Sequence, residues 1–298
     1  MKLAFLISAH TDPQQLRRLV ASLPDDSDCY IHIDRKSDIR QFTKVVNHPR
    51  AHFIQNRQDV VWGSWIETQY QIELIKACLK AETPYDYLIT LSGLDYPVWS
   101  NERIIQYFEA QQGRNVLQGI QMQADDPASR QYQEYRFLNN HRQKSFLCRL
   151  GILARKVLRL AGVKKPLTVK ADNREYHLYK GAAWWAITPQ LATRIVEEWE
   201  HNKQLANYFK SSFCPAETFV QTVAFNSEFA SQCILATGRY QSLQALTPFT
   251  YIDYVPVIKL LTEEDYDKIQ ASDKMFCRKI VSGKSDGLVR MIDDSRRP

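Results

Sequence analysis

Residues 3–34, LAFLISAHTDPQQLRRLVASLPDDSDCYIHID, carry the reading on which the fold depends. Leu3–Ser8 is a short apolar run. Thr11-Asp12-Pro13 follows, and then Leu16, Leu19, Val20 and Leu23 recur at helical spacing, so the pattern is strand, cap, helix. Cys29–Asp34 is a second strand. Working outward, Ala51–Gln55 reads as a third strand, and Ser64-Trp65-Ile66-Glu67 fits a capping box that opens a helix running to about Lys80. Tyr87–Leu91 is expected as a strand, a helix starts from Ser100, and Asn115–Ile120 is a further strand. Strands and helices that alternate in this way build a parallel sheet, which makes residues 1–120 a Rossmann-like half of an α/β fold with a nucleotide-binding layout.

The second half is less regular. Residues 121–180 hold long polar loops and a basic segment; Thr188 caps a helix at Pro189, and Pro215 is expected to open another. Cys233–Thr237 and Thr250–Tyr254 read as strands, and Thr262-Glu263-Glu264-Asp265 begins a short helix. With no internal repeat and no Pro/Gly/Ser linker, residues 1–298 read as a single domain with a mixed central sheet.

Composition narrows the classes. Of 298 residues 44% are hydrophobic and 24% charged, with 10 Gly and 12 Pro, which excludes a disordered or collagen-like chain. No apolar run approaches the ~20 residues of a membrane span, and no signal peptide is visible after Met1 and Lys2. Cys29, Cys78, Cys148, Cys214, Cys233 and Cys277 form no CxxC pair, so structural zinc is not expected. They read as buried thiols in a reducing compartment, the cytoplasm. The net charge of +6 is local: residues 142–170 carry nine Lys or Arg and no Asp or Glu, leaving −3 elsewhere. That confinement argues against a nucleic-acid groove and for one anionic contact. Arg142, Lys144, Arg149, Arg155, Lys156, Arg159, Lys164 and Lys165 interleave with Phe146, Leu147, Leu150, Ile152, Leu153, Val157, Leu158 and Leu160. Two readings stand side by side: a basic amphipathic helix on an anionic membrane face, or a helix packed on the domain with solvated cations.

Ligands of an open parallel sheet bind beyond the carboxyl ends of its strands, where His10, Asp34 and Asp95 fall. Asp34 can accept from a ribose or a base edge, although a turn-forming Asp is the commoner role, and a histidine such as His10 is more often a packed loop residue than a ligand. Ser92-Gly93-Leu94-Asp95-Tyr96-Pro97 offers one carboxylate where sugar-nucleotide transferases place an Asp-x-Asp pair for a divalent cation. Asp26-Ser27-Asp28 and Asp265-Tyr266-Asp267 are expected as solvated surface, so a bound diphosphate would need neutralising by other groups. Arg278 and Lys279, set in an apolar run, can do so, although a strand with alternating exposed cations is the commoner meaning of that spacing. Glu217 is expected in the first turn of the helix after Cys214, where the dipole favours its ionised form and where such residues mostly cap. An ionised carboxylate at a cleft can also take a proton from an attacking hydroxyl. Trp184 and Trp185 could offer one flat face to a sugar and one to the core, since adjacent strand residues point opposite ways, although paired core aromatics are the commoner arrangement. No Walker loop, GxGxxG, HExxH or GxSxG is present.

In order, Ile7–His10, Ile31–Lys36, Val61–Trp65, Leu91–Pro97, Gly181–Trp185, Pro215–Glu217 and residues 262–280 resemble the core-2/I-branching β-1,6-N-acetylglucosaminyltransferase and xylosyltransferase family, glycosyltransferase family 14, in a bacterial soluble form. The resemblance implies a GT-A-type fold, with residues 121–298 as the acceptor-binding and catalytic half. It implies inverting transfer from a UDP-sugar with no metal and no other cofactor, Glu217 being the catalytic base. Donor contacts fall on His10, Asp34, Trp62, Ser64, Lys259, Arg278 and Lys279, and acceptor contacts on Asp95, Tyr96, Arg136, Trp184 and Trp185. The sugar could be GlcNAc, xylose, glucose or glucuronate. The acceptor would be a glycan or lipid-linked glycan in surface-polysaccharide assembly, reached from the cytoplasm or the inner membrane face. Two other readings remain: a non-catalytic protein binding polyanions or a membrane surface through residues 142–170, and a hydrolase of the donor.

Overall fold

The structure, a computed structural model, describes residues 1–136, 146–254 and 257–297. The first strand–helix–strand unit forms as expected: β1 is Leu3–Ala9, α1 Pro13–Ser22 and β2 Asp28–Ile33. Next come α2 (Ile39–Thr43), β3 (Ala51–Phe53), α3 (Trp65–Leu79) and β4 (Tyr87–Ser92). These four strands pair in parallel in the order β4-β1-β2-β3. Every residue of β2 is buried, as in a parallel strand covered on both faces.

Alternate side chains enter two separate cores. Ala4, Leu6, Tyr30 and Leu88 pack with Ile72 and Ile75 of α3 on one face. Leu3, Phe5, Ile7, Ile31 and Ile89 pack with Leu16, Leu19 and Val20 of α1 on the other. Period-two alternation against helices on both sides gives three layers.

After β4, a tight turn leads into β5 (Asp95–Pro97), followed by α4 (Asn101–Gln111) with Ser100 as its cap, and β6 (Gln118–Gln121). The strand expected at 115–120 therefore forms, but outside the parallel sheet. β6 joins two later strands instead. Then come α5 (Phe146–Leu160), the hairpin β7 (Thr168–Ala171) and β8 (Arg174–His177), β9 (Tyr179–Gly181) and β10 (Ala186–Ile187). β9 runs antiparallel to β6, and β10 antiparallel to β4. A segment from beyond residue 120 thus completes the N-terminal sheet and makes it mixed.

The remainder comprises α6 (Pro189–His201), α7 (Lys203–Lys210), α8 (Phe219–Phe225), β11 (Ile234–Ala236), β12 (Thr250–Ile252), α9 (Tyr266–Ala271), β13 (Phe276–Arg278) and α10 (Asp286–Arg296). β11 extends β6 in parallel, while β12, β13 and β5 form a third small sheet. That sheet covers a third apolar cluster with α9 and α10.

Three expectations differ from what forms. Pro215 opens a three-residue 3-10 turn, Pro215–Glu217, rather than an α-helix, and α8 starts only at Phe219. Asp265 is not solvated: it is buried and pairs with Lys259. Asp28 is buried too, 3.0 Å from His52. Each Asp-x-Asp stretch thus holds one buried carboxylate tied to a neighbouring base, while Asp26 and Asp267 are exposed as expected.

Candidate active site

The ends of β1, β2 and β4 put His10, Asp34 and Asp95 along one edge, because parallel strands share a carboxyl end. Gly93 lets β4 turn there. Its N–H donates to Ser8 O at 2.8 Å, and a Cβ added to it would lie 2.6 Å from the Ala9 Cβ. The turn therefore packs on the end of β1, and Asp95 points back beneath it.

Asp95 is fully buried. Its carboxylate accepts from Ser92 N (2.8 Å), Trp184 Nε1 (2.9 Å) and Arg278 Nη1 (3.1 Å). Burial pushes its pKa up, opposed by Arg278 and by these hydrogen bonds. The buried carboxylate thus orients one guanidinium and one indole; the Arg278 guanidinium carbon sits 5.6 Å from the Trp184 ring centre. Burial pushes the Tyr70 pKa up, opposed by Ser8 and Arg278. Partial desolvation lowers the His10 pKa, countered by Asp34 and reinforced by Arg278, Lys279 and Lys36. The expected donor residues His10, Asp34, Arg278 and Lys279 therefore share one electrostatic neighbourhood. Asp34 caps its own turn, accepting from Lys36 N at 2.9 Å, with the Lys36 ammonium 3.1 Å away.

A second group forms around Glu217. Cys214, in a left-handed conformation, donates its N–H to Gly63 O at 3.0 Å, and Trp62 meets Phe213 edge-on with centroids 5.8 Å apart. The Trp62-Gly63-Ser64 turn and the Phe213–Glu217 loop are thereby held together. Gly63 has φ +74, a conformation that favours glycine. Glu217 Oε2 accepts from Lys180 Nζ at 2.6 Å. Lys180 is buried on β9, its ammonium 5.2 Å from the Tyr240 ring and 5.4 Å from that of Tyr132. Burial lowers its pKa, but Glu217 and the two tyrosines outweigh that and hold it above the usual lysine range. Lys180 stays cationic and Glu217 is fixed beside it, partly open to solvent. Lys180 and Tyr240 also line a small recess with Asp126 and Ser129. Arg136 stacks its guanidinium 4.3 Å from the Phe213 ring centre.

Other expected residues lie elsewhere. Ser64 is a buried helix cap, donating to Val61 O and accepting from Ile66 N, while Glu67 bonds Gly63 N rather than the cap itself. Tyr96 is buried, with its hydroxyl on Ser22 and Asp293. Trp185 is a core residue, on the face opposite to that of Trp184. Lys259 is half-exposed and paired with Asp265 at 2.6 Å. Among the described residues, no three His, Cys, Asp or Glu side chains gather as metal ligands would.

Sequence reasoning missed Lys180. The signal was available: it directly precedes the Gly181–Trp185 block, on a strand. The role of Asp12 was also missed. Beyond capping α1, its carboxylate accepts from both Ser282 N and Ser282 Oγ at 2.7 Å, tying the first turn to the loop after Lys279.

The human N-acetyllactosaminide beta-1,6-N-acetylglucosaminyl-transferase is 22% identical over 228 residues, covering 74% of this chain and 52% of the relative. A xylosyltransferase of Ciona intestinalis is 24% identical over 231 residues, 72% of this chain and 24% of that one. The chain thus spans about half or less of the length of these relatives. A similar solved structure is that of 4-diphosphocytidyl-2C-methyl-D-erythritolsynthase from Anaerococcus prevotii, with 13% identity, a TM-score of 0.39 and coverage of 91% of this chain and 97% of that one. The sequence profile of the Core-2/I-Branching enzymes matches residues 3–270, and the chain belongs to that family.

Proposed function

We propose that the chain is an inverting, metal-independent glycosyltransferase. It transfers GlcNAc, or xylose, from a UDP-sugar to a glycan hydroxyl with β linkage, in bacterial surface-polysaccharide assembly. The observation that carries this reading is the Glu217–Lys180 pair. A carboxylate partly open to solvent is held by a buried cation, on a loop bonded to the Trp62 turn, in a chain of a family whose named relatives transfer these sugars.

In this mechanism Glu217 takes the proton of the acceptor hydroxyl as its oxygen bonds to the anomeric carbon. The bond from that carbon to the UDP oxygen breaks on the opposite face, so one displacement inverts an α donor to a β product, as a base-activated water does in inverting glycosidases. The electron pair leaves with the β-phosphate, whose charge Arg278 and Lys279 stabilise. Asp95 acts through Arg278 and Trp184 as a positioning residue. Asp34 and Trp62 serve the nucleoside, while Arg136 and Trp184 border the acceptor.

Glu217→Gln is isosteric and keeps a partner for Lys180. UDP should stabilise this variant against heat as it does the wild type, while turnover falls by about 10²–10⁴-fold. Wild-type turnover in Glu217→Gln would remove that residue from the base role, and loss of activity in EDTA restored by Mn²⁺ would overturn the metal-free account.

A further inference from the structure

α5 turns its apolar side to solvent. Phe146, Leu150, Leu153, Val157 and Leu160 recur every three or four residues, on one helical face, and are 74, 46, 57, 55 and 86% exposed. The opposite side holds the helix to the domain. Cys148 is buried there, and Arg155 and Arg159 reach Glu134 at 3.7 and 3.8 Å. An amphipathic helix on a globular domain normally buries its apolar stripe; here the packed side holds Cys148 with the partly buried Ile152, Arg155 and Leu158, and the stripe faces outward. Scattered exposed apolar residues are ordinary, but a contiguous stripe marks an interaction surface.

Charge identifies the partner. Arg149 and Lys156 are exposed and flank the stripe along one edge, Lys164 follows the helix, and residues 135–171 contain no Asp or Glu. Arg142 and Lys144, part of the same basic segment, lie outside the described residues. We propose that α5 lies in the plane of an anionic lipid surface, its apolar stripe among the acyl chains and its cations at the headgroups. A second copy of the chain fits less well. Packing α5 on its own image would bring Arg149 and Lys156 toward like charges with no carboxylate on the helix to answer them.

The contact would also orient the site. Glu134, which α5 grips, lies two residues before Arg136, and Arg136 stacks on Phe213 of the Glu217 loop. An acceptor displayed at the membrane, such as a lipid-linked glycan, would then be presented to the side of the domain that carries Arg136 and Phe213. This last step rests on the transferase reading; the lipid contact does not.

The test is cosedimentation of the full chain with vesicles of phosphatidylcholine alone or mixed with phosphatidylglycerol. Binding to the mixed vesicles should be at least about tenfold tighter and should weaken with salt. Leu153→Glu combined with Val157→Glu should remove it, with thermal stability and UDP-induced stabilisation unchanged. Arg149→Glu with Lys156→Glu should abolish the preference for anionic lipid. No vesicle binding by the wild type, or undiminished binding by the Leu153/Val157 variant, overturns the proposal. So does a concentration-dependent dimer that this variant dissociates, which would assign the face to a second copy. UDP-induced stabilisation is read independently, so its absence would count against the transferase reading alone.

Discussion

At the scale of single residues, two buried lysines sit in opposite circumstances. Lys180 has a carboxylate partner, and the pair fixes the side chain assigned to proton transfer. Lys180→Met preserves length and removes the cation. It should lower kcat by about tenfold or more, because Glu217 loses its tether, while leaving the Kd for UDP unchanged; an unaltered kcat would show that Lys180 only fills space. Lys165 is different. It donates to Tyr208 O (2.8 Å), Ser212 Oγ (2.7 Å) and Ser211 Oγ (3.0 Å), with its ammonium 4.0 Å from the Tyr208 ring centre. Burial lowers its pKa from 10.5 to about 7. Between those values the unfolded chain binds a proton that the folded chain releases, so stability rises with pH across that window, by up to about 1.4 kcal/mol per pH unit. Denaturation midpoints measured from neutral pH upward should therefore climb relative to those of Lys165→Met. Parallel profiles for the two proteins would contradict a depressed Lys165.

At the scale of elements, legibility followed locality. β1, α1, β2, α3 and β4 were readable because their cues are a few residues wide: an apolar run, Asp12 and Ser64 as caps, Pro13 at a first helical position. The Pro215 segment was misread because its cues are those of a helix start, whereas the bond from Cys214 N to Gly63 O and the left-handed Cys214 bend the chain into a 3-10 turn. α5 was legible as amphipathic, but not which side it buries, since that depends on Glu134. Gly93 belongs to this scale as well. Ala9 and Gly93 are far apart in sequence and touch only because β1 and β4 pair. Gly93→Ala should destabilise the fold by about 1–3 kcal/mol through overpacking against a neighbour that has no flexible end to swing away. Combining it with Ala9→Gly should recover part of that loss in urea denaturation, and strict additivity of the two would rule out the contact as the cause.

At the scale of the molecule, the site is an assembly of segments whose meeting no local pattern announces. Arg278 pairs with Asp95 across 183 residues, Lys180 with Glu217 across 37, and Ser282 with Asp12 across 270. The sequence blocks could be recognised individually as strand ends and turns, but Lys180 stayed hidden because its role exists only once β9 crosses to β6. The Asp12–Ser282 contact offers a clean test of this stitching, since both bonds to Ser282 lie outside the assigned chemistry while Arg278 and Lys279 come only four and three residues earlier. Asp12→Asn keeps an oxygen to cap α1 yet loses one acceptor for Ser282, and Ser282→Ala removes the hydroxyl bond. Each alone should weaken UDP-induced stabilisation, because the two cations lose their anchor to the first turn. Together they should lose less than the sum, with a coupling of about 0.5–3 kcal/mol in a double-mutant cycle on stability. If the two effects simply add, and UDP stabilises both variants like the wild type, the Arg278–Lys279 segment is held in place without the Asp12–Ser282 contact, by backbone pairing such as that of β13 with β5 and β12.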